Sequence, residues 1–192
     1  DQIRRCRRRG KQNSNSTPEA VKIVLLLLAQ AVLYAGSPVA PHVRNFGELN
    51  GHIYRGAAPS PAALEELHGL GVKVILDLRG KGESTAAEGA HVRSLGMKYV
   101  NVPLGNWSSP TQAQLQQVLP YLLRSETEPV FVHCRRGKDR TGTVIACYRI
   151  QHDSWTNRQA LEEAESYGIS RAEQRMRSYI LHFTPLTFPT FH

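Results

Sequence analysis

Two short apolar runs, Val72-Lys-Val-Ile-Leu-Asp-Leu78 and Pro129-Val-Phe-Val-His133, constrain this chain more than any other feature. Each is short for a helix and too continuously apolar for a strand with one wet face, so both predict central strands covered on both sides. Phe46-Gly-Glu-Leu49 and His52-Ile-Tyr-Arg55 flank Asn50-Gly51, a pair that favours a tight hairpin turn. Ser60-Pro61 opens a helix with Leu64, Leu67 and Leu70 on one side, closed by Gly71. A second helix is expected from about Glu83 to Leu95, stopped by Gly96, and Met97 to Val102 reads as the next strand. Thr111 caps a helix whose Leu115, Val118, Leu119 and Leu122 recur at helical spacing. Gly142 to His152 is a further helix, and the capping boxes Thr156-Asn-Arg-Gln159 and Ser170-Arg-Ala-Glu173 start two more. The alternation predicts an α/β fold, with a central, mostly parallel sheet, an antiparallel edge and flanking helices.

At 192 residues and 41% apolar composition, the chain is the size of one domain with a real core. Three cysteines, Cys6, Cys134 and Cys147, cannot build a disulfide scaffold, and no CxxC or HExxH pattern suggests zinc. Neither a metal nor a cofactor is expected. The formal charge of +8 is uneven: residues 1–37 carry seven basic and two acidic side chains, which leaves only +3 on the remainder. So mild a balance gives no reason to expect a nucleic-acid partner.

The arginine cluster at Arg4 to Arg9 precedes an apolar stretch from Val21 to Ala35 and the small residues Gly36 and Ser37. That order is the pattern of a secretory signal, and the stretch is short for a bilayer span. Residues 1–40 are therefore expected to be a signal-like or membrane-anchor leader, 41–183 the folded domain and 184–192 a loose tail. The domain is expected to be exported to the periplasm or anchored with the domain outside, with a cytoplasmic location as the alternative. Oxidising surroundings would leave a Cys134–Cys147 disulfide open.

Chemistry concentrates where the strand ending at His133 runs into Cys134-Arg-Arg-Gly-Lys-Asp-Arg140, then Thr141-Gly142 and a helix. A loop of this length between a strand end and a helix N-terminus turns backbone N–H groups inward as an anion nest, with the helix dipole behind it. Gly137 allows the turn, and the planar fork of Arg140 grips two phosphate oxygens at once. Arg135, Arg136 and Lys138 add positive charge. The same field lowers the Cys134 thiol from an ordinary pKa of about 8.5 and makes it a nucleophile. Thr141 is placed to donate a hydrogen bond to the sulfur, and His133 to brace the loop. Cys147, in an apolar helix, reads as core.

His133-Cys-x-x-Gly-x-x-Arg-Thr-Gly142 resembles the signature of the protein tyrosine phosphatase superfamily. Its Gly-Lys-Asp-Arg-Thr-Gly form, with Tyr54-Arg-Gly-Ala-Ala-Pro59 and Val74-Ile-Leu-Asp-Leu-Arg79 upstream, is similar to bacterial dual-specificity-like and lipid-active tyrosine phosphatases. The resemblance spans roughly Phe46 to Tyr179 and implies a cysteine-based phosphatase fold. It implies hydrolysis of phosphate monoesters, on phosphotyrosine, phosphoserine or phosphothreonine proteins or on phosphoinositides and inositol phosphates, through a phosphocysteine. The superfamily commonly takes its general acid from an aspartate on an upstream loop, but Val102-Pro-Leu-Gly-Asn-Trp-Ser-Ser-Pro110 holds no carboxylate. In the group with this loop the acid is the loop aspartate, which implies Asp139. Asp77, Glu83 and Glu88 are further candidates, and pairing of Asp139 with Arg79 or Lys138 is the structural alternative. Trp107 and Tyr54 are available as aromatic walls. A catalytically weak phosphate-binding module and a sulfurtransferase are the competing readings.

Overall fold

The structure, a computed structural model, describes residues 41–80 and 83–188. The leader at 1–40, the Glu83 side chain and residues 189–192 lie outside the described part. Five strands form one sheet: β1 (Gly47–Glu48), β2 (Ile53–Ala57), β3 (Val74–Asp77), β4 (Lys98–Asn101) and β5 (Val130–Cys134). Their order is β1-β2-β5-β3-β4, with only the β1–β2 pair antiparallel. The described helices are α1 (Pro61–Gly69), α2 (Glu83–Ser94), α3 (Gln112–Leu123), α4 (Asp139–Gln151), α5 (Asn157–Ser166) and α6 (Gln174–His182). None of them is long and apolar enough to cross a membrane.

Alternation along the strands sorts the core into two layers, because successive side chains leave a strand on opposite faces. Ile53, Val74, Leu76, Val130 and Val132 pack with Leu115 and Leu119 of α3 and with Ile145 of α4. Tyr54, Ile75 and Phe131 point the other way, onto Leu64 and Leu67 of α1 and Val92 of α2. The expected α/β architecture is therefore the observed one, with β5 at its centre. β5 enters between β2 and β3, which are consecutive along the chain, and this reversal opens a crevice at the strands' carboxyl ends. Ala57 of β2 stands in register with Cys134, and Asp77 of β3 with His133.

Capping chemistry sets three of the six described helix starts. Ser60 accepts from the Ala63 N–H at 3.2 Å, and Thr111 and Thr156 form complete capping boxes with Gln114 and Gln159. Three expectations are corrected. The box expected at Ser170–Glu173 does not form: α6 begins at Gln174, and Glu173 occupies its N-cap without a capping bond. The helix expected from Gly142 begins at Asp139, so Asp139, Arg140 and Thr141 belong to its first turn. The tail is not loose as far as Phe188: Phe183 is in the core, Leu186 and Phe188 pack against it, and Gln151 exchanges hydrogen bonds with the Leu186 backbone at 3.2 and 2.6 Å.

Candidate active site

β5 delivers Cys134 to the carboxyl edge of the sheet, and the chain wraps around the sulfur before entering α4. Cys134, Arg135, Arg136, Asp139 and Arg140 line one cavity of about 260 Å³. Asn106 and Trp107 from the β4–α3 loop, and Ser170 and Glu173 from the α5–α6 connection, complete it.

Two donors, the buried Arg55 and the half-buried Asn45, hold the loop from below. Gly137 has φ +69°, and a Cβ there would come within 2.4 Å of the Gly56 backbone, so only glycine fits. Its carbonyl accepts hydrogen bonds from Arg55 Nη2 at 2.8 Å and Asn45 Nδ2 at 2.8 Å. With that oxygen engaged on the sheet side, N–H groups of the loop are left for the cavity. Lys138 at the N-cap of α4 makes no side-chain cap, so the first-turn N–H groups stay available to an anion.

The Cys134 thiol is nearly buried, which by itself would push its pKa up. The Thr141 hydroxyl, the N–H groups of Thr141 and Arg136 and the charge of Arg140 outweigh burial and hold it below the ordinary thiol value. Thr141 is fully buried and its hydroxyl meets no other oxygen or nitrogen, so the sulfur is its natural acceptor. Arg140 is half-buried, and its Nη1 donates to the Leu78 carbonyl at 3.3 Å, which anchors the guanidinium at the cavity wall. Cys147 is completely buried in α4, and burial pushes its thiol far up. Both cysteines are free thiols.

His133 lies behind the cavity. Its Nε2 is 2.9 Å from Glu88 Oε1, and its Nδ1 faces the Cys134 carbonyl at 3.4 Å. Glu88 and Asp77 in turn share the Arg79 guanidinium, at 2.7 and 2.8 Å. Asp77, Glu88 and His133 are close enough together to attract a cation. Arg79 already supplies the positive charge between the two carboxylates. This places Asp77 and Glu88 in a brace for the strand ends rather than in the cavity.

The remaining expected site residues separate. Lys138 runs along Gly168 and does not line the cavity. Asp139 pairs with neither Arg79 nor Lys138; its Oδ1 accepts the Ser170 N–H at 2.7 Å. Tyr54 is buried, stacks on Phe46 and donates to the Gly51 carbonyl, which removes it as a substrate wall. Trp107 does reach the cavity and is 68% exposed.

Two contributors escaped the sequence reading. Arg55 is fully buried with its guanidinium 3.8 Å from the Tyr167 ring centroid, and the signal was a lone charge inside an apolar strand. Glu173 was assigned to capping, and no local pattern brings it to Cys134.

Residues 42–180 match the family described as "DSP-PTPase phosphatase fused to NAD+ Kinase". The chain is 27% identical over 157 residues to an Arabidopsis thaliana protein named inositol diphosphatase DSP4, across 75% of this chain and 77% of that one. It is 30% identical over 126 residues to the dual specificity protein phosphatase TpbA of Pseudomonas aeruginosa, across 65% of this chain but only 55% of TpbA. The core catalytic domain of the PP-IP phosphatase SIW14 from S. cerevisiae superposes with a TM-score of 0.67 at 26% identity, covering 77% of this chain and 89% of that one. With a family match over most of the folded part and a cysteine whose thiol is held below its ordinary pKa in an arginine-lined cavity, the chain belongs to this dual-specificity branch of the protein tyrosine phosphatase superfamily.

Proposed function

We propose that the protein hydrolyses phosphate monoesters through a phosphocysteine intermediate. The observation that carries this reading is the Cys134 thiol, held low in one cavity with Arg140 at the N-terminus of α4. Sγ of Cys134 attacks phosphorus as the bond to the leaving oxygen breaks, and that oxygen takes a proton from a carboxylic acid in the cavity. Arg140 and the loop N–H groups hold the equatorial oxygens as charge redistributes. Water then attacks phosphorus, gives up its proton and restores the thiolate as inorganic phosphate leaves. Asp139 is the acid that the family resemblance implies, and it lines the cavity.

The exposed indole of Trp107 offers a flat wall to an aromatic ring, which supports phosphotyrosine in a protein as the first substrate class. Arg135 and Arg136, both exposed at the cavity, favour a second reading in which inositol phosphates or phosphoinositides are taken. One relative is named an inositol diphosphatase and another a dual specificity protein phosphatase, in line with both. The basic cluster and apolar stretch before Ser37 support an exported or membrane-tethered domain acting outside the cytoplasm.

Phosphate release from an aryl phosphate is the test. Cys134→Ser is expected to abolish it while phosphate-competitive binding persists. Equal turnover by the variant would rule out the phosphocysteine. A panel of phosphotyrosine and phosphoserine peptides, phosphoinositides and inositol polyphosphates then ranks the substrate classes.

A further inference from the structure

We propose that Glu173 carries the proton that the leaving oxygen takes; this rests on the phosphatase reading above. The β4–α3 loop reaches the cavity with Asn106 and Trp107 and brings no acid. Among the described residues, Asp139 and Glu173 are the carboxylates that line it.

Their surroundings differ. Asp139 Oδ1, in the first turn of α4, accepts the Ser170 N–H at 2.7 Å, so this carboxyl group already has a partner. Glu173 is only 5% exposed, occupies a helix N-cap without bonding the helix, and its carboxyl has no hydrogen bond or ion pair among the described residues. Among protein groups, nearby arginines are what favour its anion. Burial raises its pKa first and the charge of Asp139 second, and together they outweigh the opposing pull of Arg136 and Arg140. Arg135 lines the same cavity, and Arg175 lines an adjoining one that shares Glu173 and Trp107. A phosphate dianion bound on Cys134 engages the arginines and adds negative charge, which favours the protonated Glu173 further. Of the two carboxyl groups in the cavity, the buried one without a hydrogen-bond partner is therefore the one placed to hold a proton.

The proton account closes. As the P–O bond breaks, its electron pair stays on the leaving oxygen, which takes the Glu173 proton. The resulting carboxylate takes a proton from the water that attacks the phosphocysteine. The P–S bond breaks, the thiolate returns and Glu173 is again neutral.

Glu173→Gln, nearly the same shape, should lower kcat/KM for phenyl phosphate about 100-fold or more, but for p-nitrophenyl phosphate by less than about tenfold, since an activated leaving group needs little protonation. The loss of rate at high pH, which reports deprotonation of the acid, should disappear in this variant. Asp139→Asn should keep the wild-type dependence on leaving group while moving that high-pH limb to lower pH, because Glu173 loses the neighbouring charge that opposes its ionisation. Equal losses on both substrates for Glu173→Gln, with the high-pH limb intact, would overturn the proposal. So would leaving-group dependence appearing with Asp139→Asn instead, which would return the proton to Asp139. Circular dichroism of each variant separates these outcomes from misfolding. A wild-type protein that releases no phosphate in a Cys134-dependent way would overturn the phosphatase reading itself, and the role of Glu173 with it.

Discussion

A guanidinium without a carboxylate partner is costly to bury, and Arg55 is fully buried with Nε and Nη1 unpartnered. Burial lowers its pKa to about 10, so it stays cationic at neutral pH. What it obtains in return is the Gly137 carbonyl, the face of Tyr167 and the charge of Cys134, which acts on Arg55 across the loop. By reciprocity Arg55 must favour the thiolate. Arg55→Met, which keeps the bulk and removes the charge, should move the pH profile of Cys134 alkylation by iodoacetamide upward. An unchanged profile would reduce Arg55 to a packing role. The sequence shows this residue as a charge within Ile53–Ala57, but an arginine in a strand is as compatible with a wet edge as with the underside of a phosphate loop. By contrast, Cys134, Gly137 and Arg140 were legible, because their spacing and the strand-to-helix junction are local properties of the chain.

At the ends of β3 and β5, the ionic brace of Asp77, Arg79, Glu88 and His133 ties two strands to α2. Burial alone would raise the Asp77 pKa, yet hydrogen bonds from Arg79 and Tyr99 and the proximity of His133 hold it below the usual carboxylate value. Asp77 therefore binds its proton less readily folded than unfolded. It stabilises the native state above the unfolded carboxylate pKa of about 3.9, and that contribution is lost as pH falls through its lower native value. The Tyr99 hydroxyl donates to Asp77 Oδ2 at 2.6 Å. Tyr99→Phe should cost about 1.5–3 kcal/mol in urea unfolding at neutral pH, as expected for a hydrogen bond to a charged group. The difference should shrink as pH falls below the usual carboxylate range and through the lower native value of Asp77; a constant difference would mean that lost packing, not the charge, is responsible. Element boundaries were misread for an equally physical reason. Helix α4 starts at Asp139 with no capping side chain at Lys138, so no capping motif marks its first residue in the sequence. Ser170-Arg-Ala-Glu173 has the pattern of a capping box, whereas tertiary contacts turn Glu173 to the cavity.

Across the whole molecule the sheet separates two apolar layers, one under α1 and α2, the other under α3 to α6. Leu67 and Leu119 are fully buried on opposite sides. Leu67→Ala and Leu119→Ala should each destabilise by about 2–5 kcal/mol, since neither cavity can collapse against a packed sheet. Both should still unfold in one transition that coincides by near- and far-ultraviolet circular dichroism. Separate transitions would show that the two layers fold independently. The order of strands and helices, the burial of β3 and β5, and the strand-to-helix loop that carries Cys134 and Arg140 were determined by the sequence alone, because periodicity, capping and loop length act over a few neighbouring residues. The brace behind the loop, the cation of Arg55 beneath it and the carboxyl group of Glu173 beside it were decided only by tertiary structure. They come from elements far apart along the chain, and their meeting depends on how β5 enters between β2 and β3 and how α5 and α6 pack against α4, which no local pattern encodes.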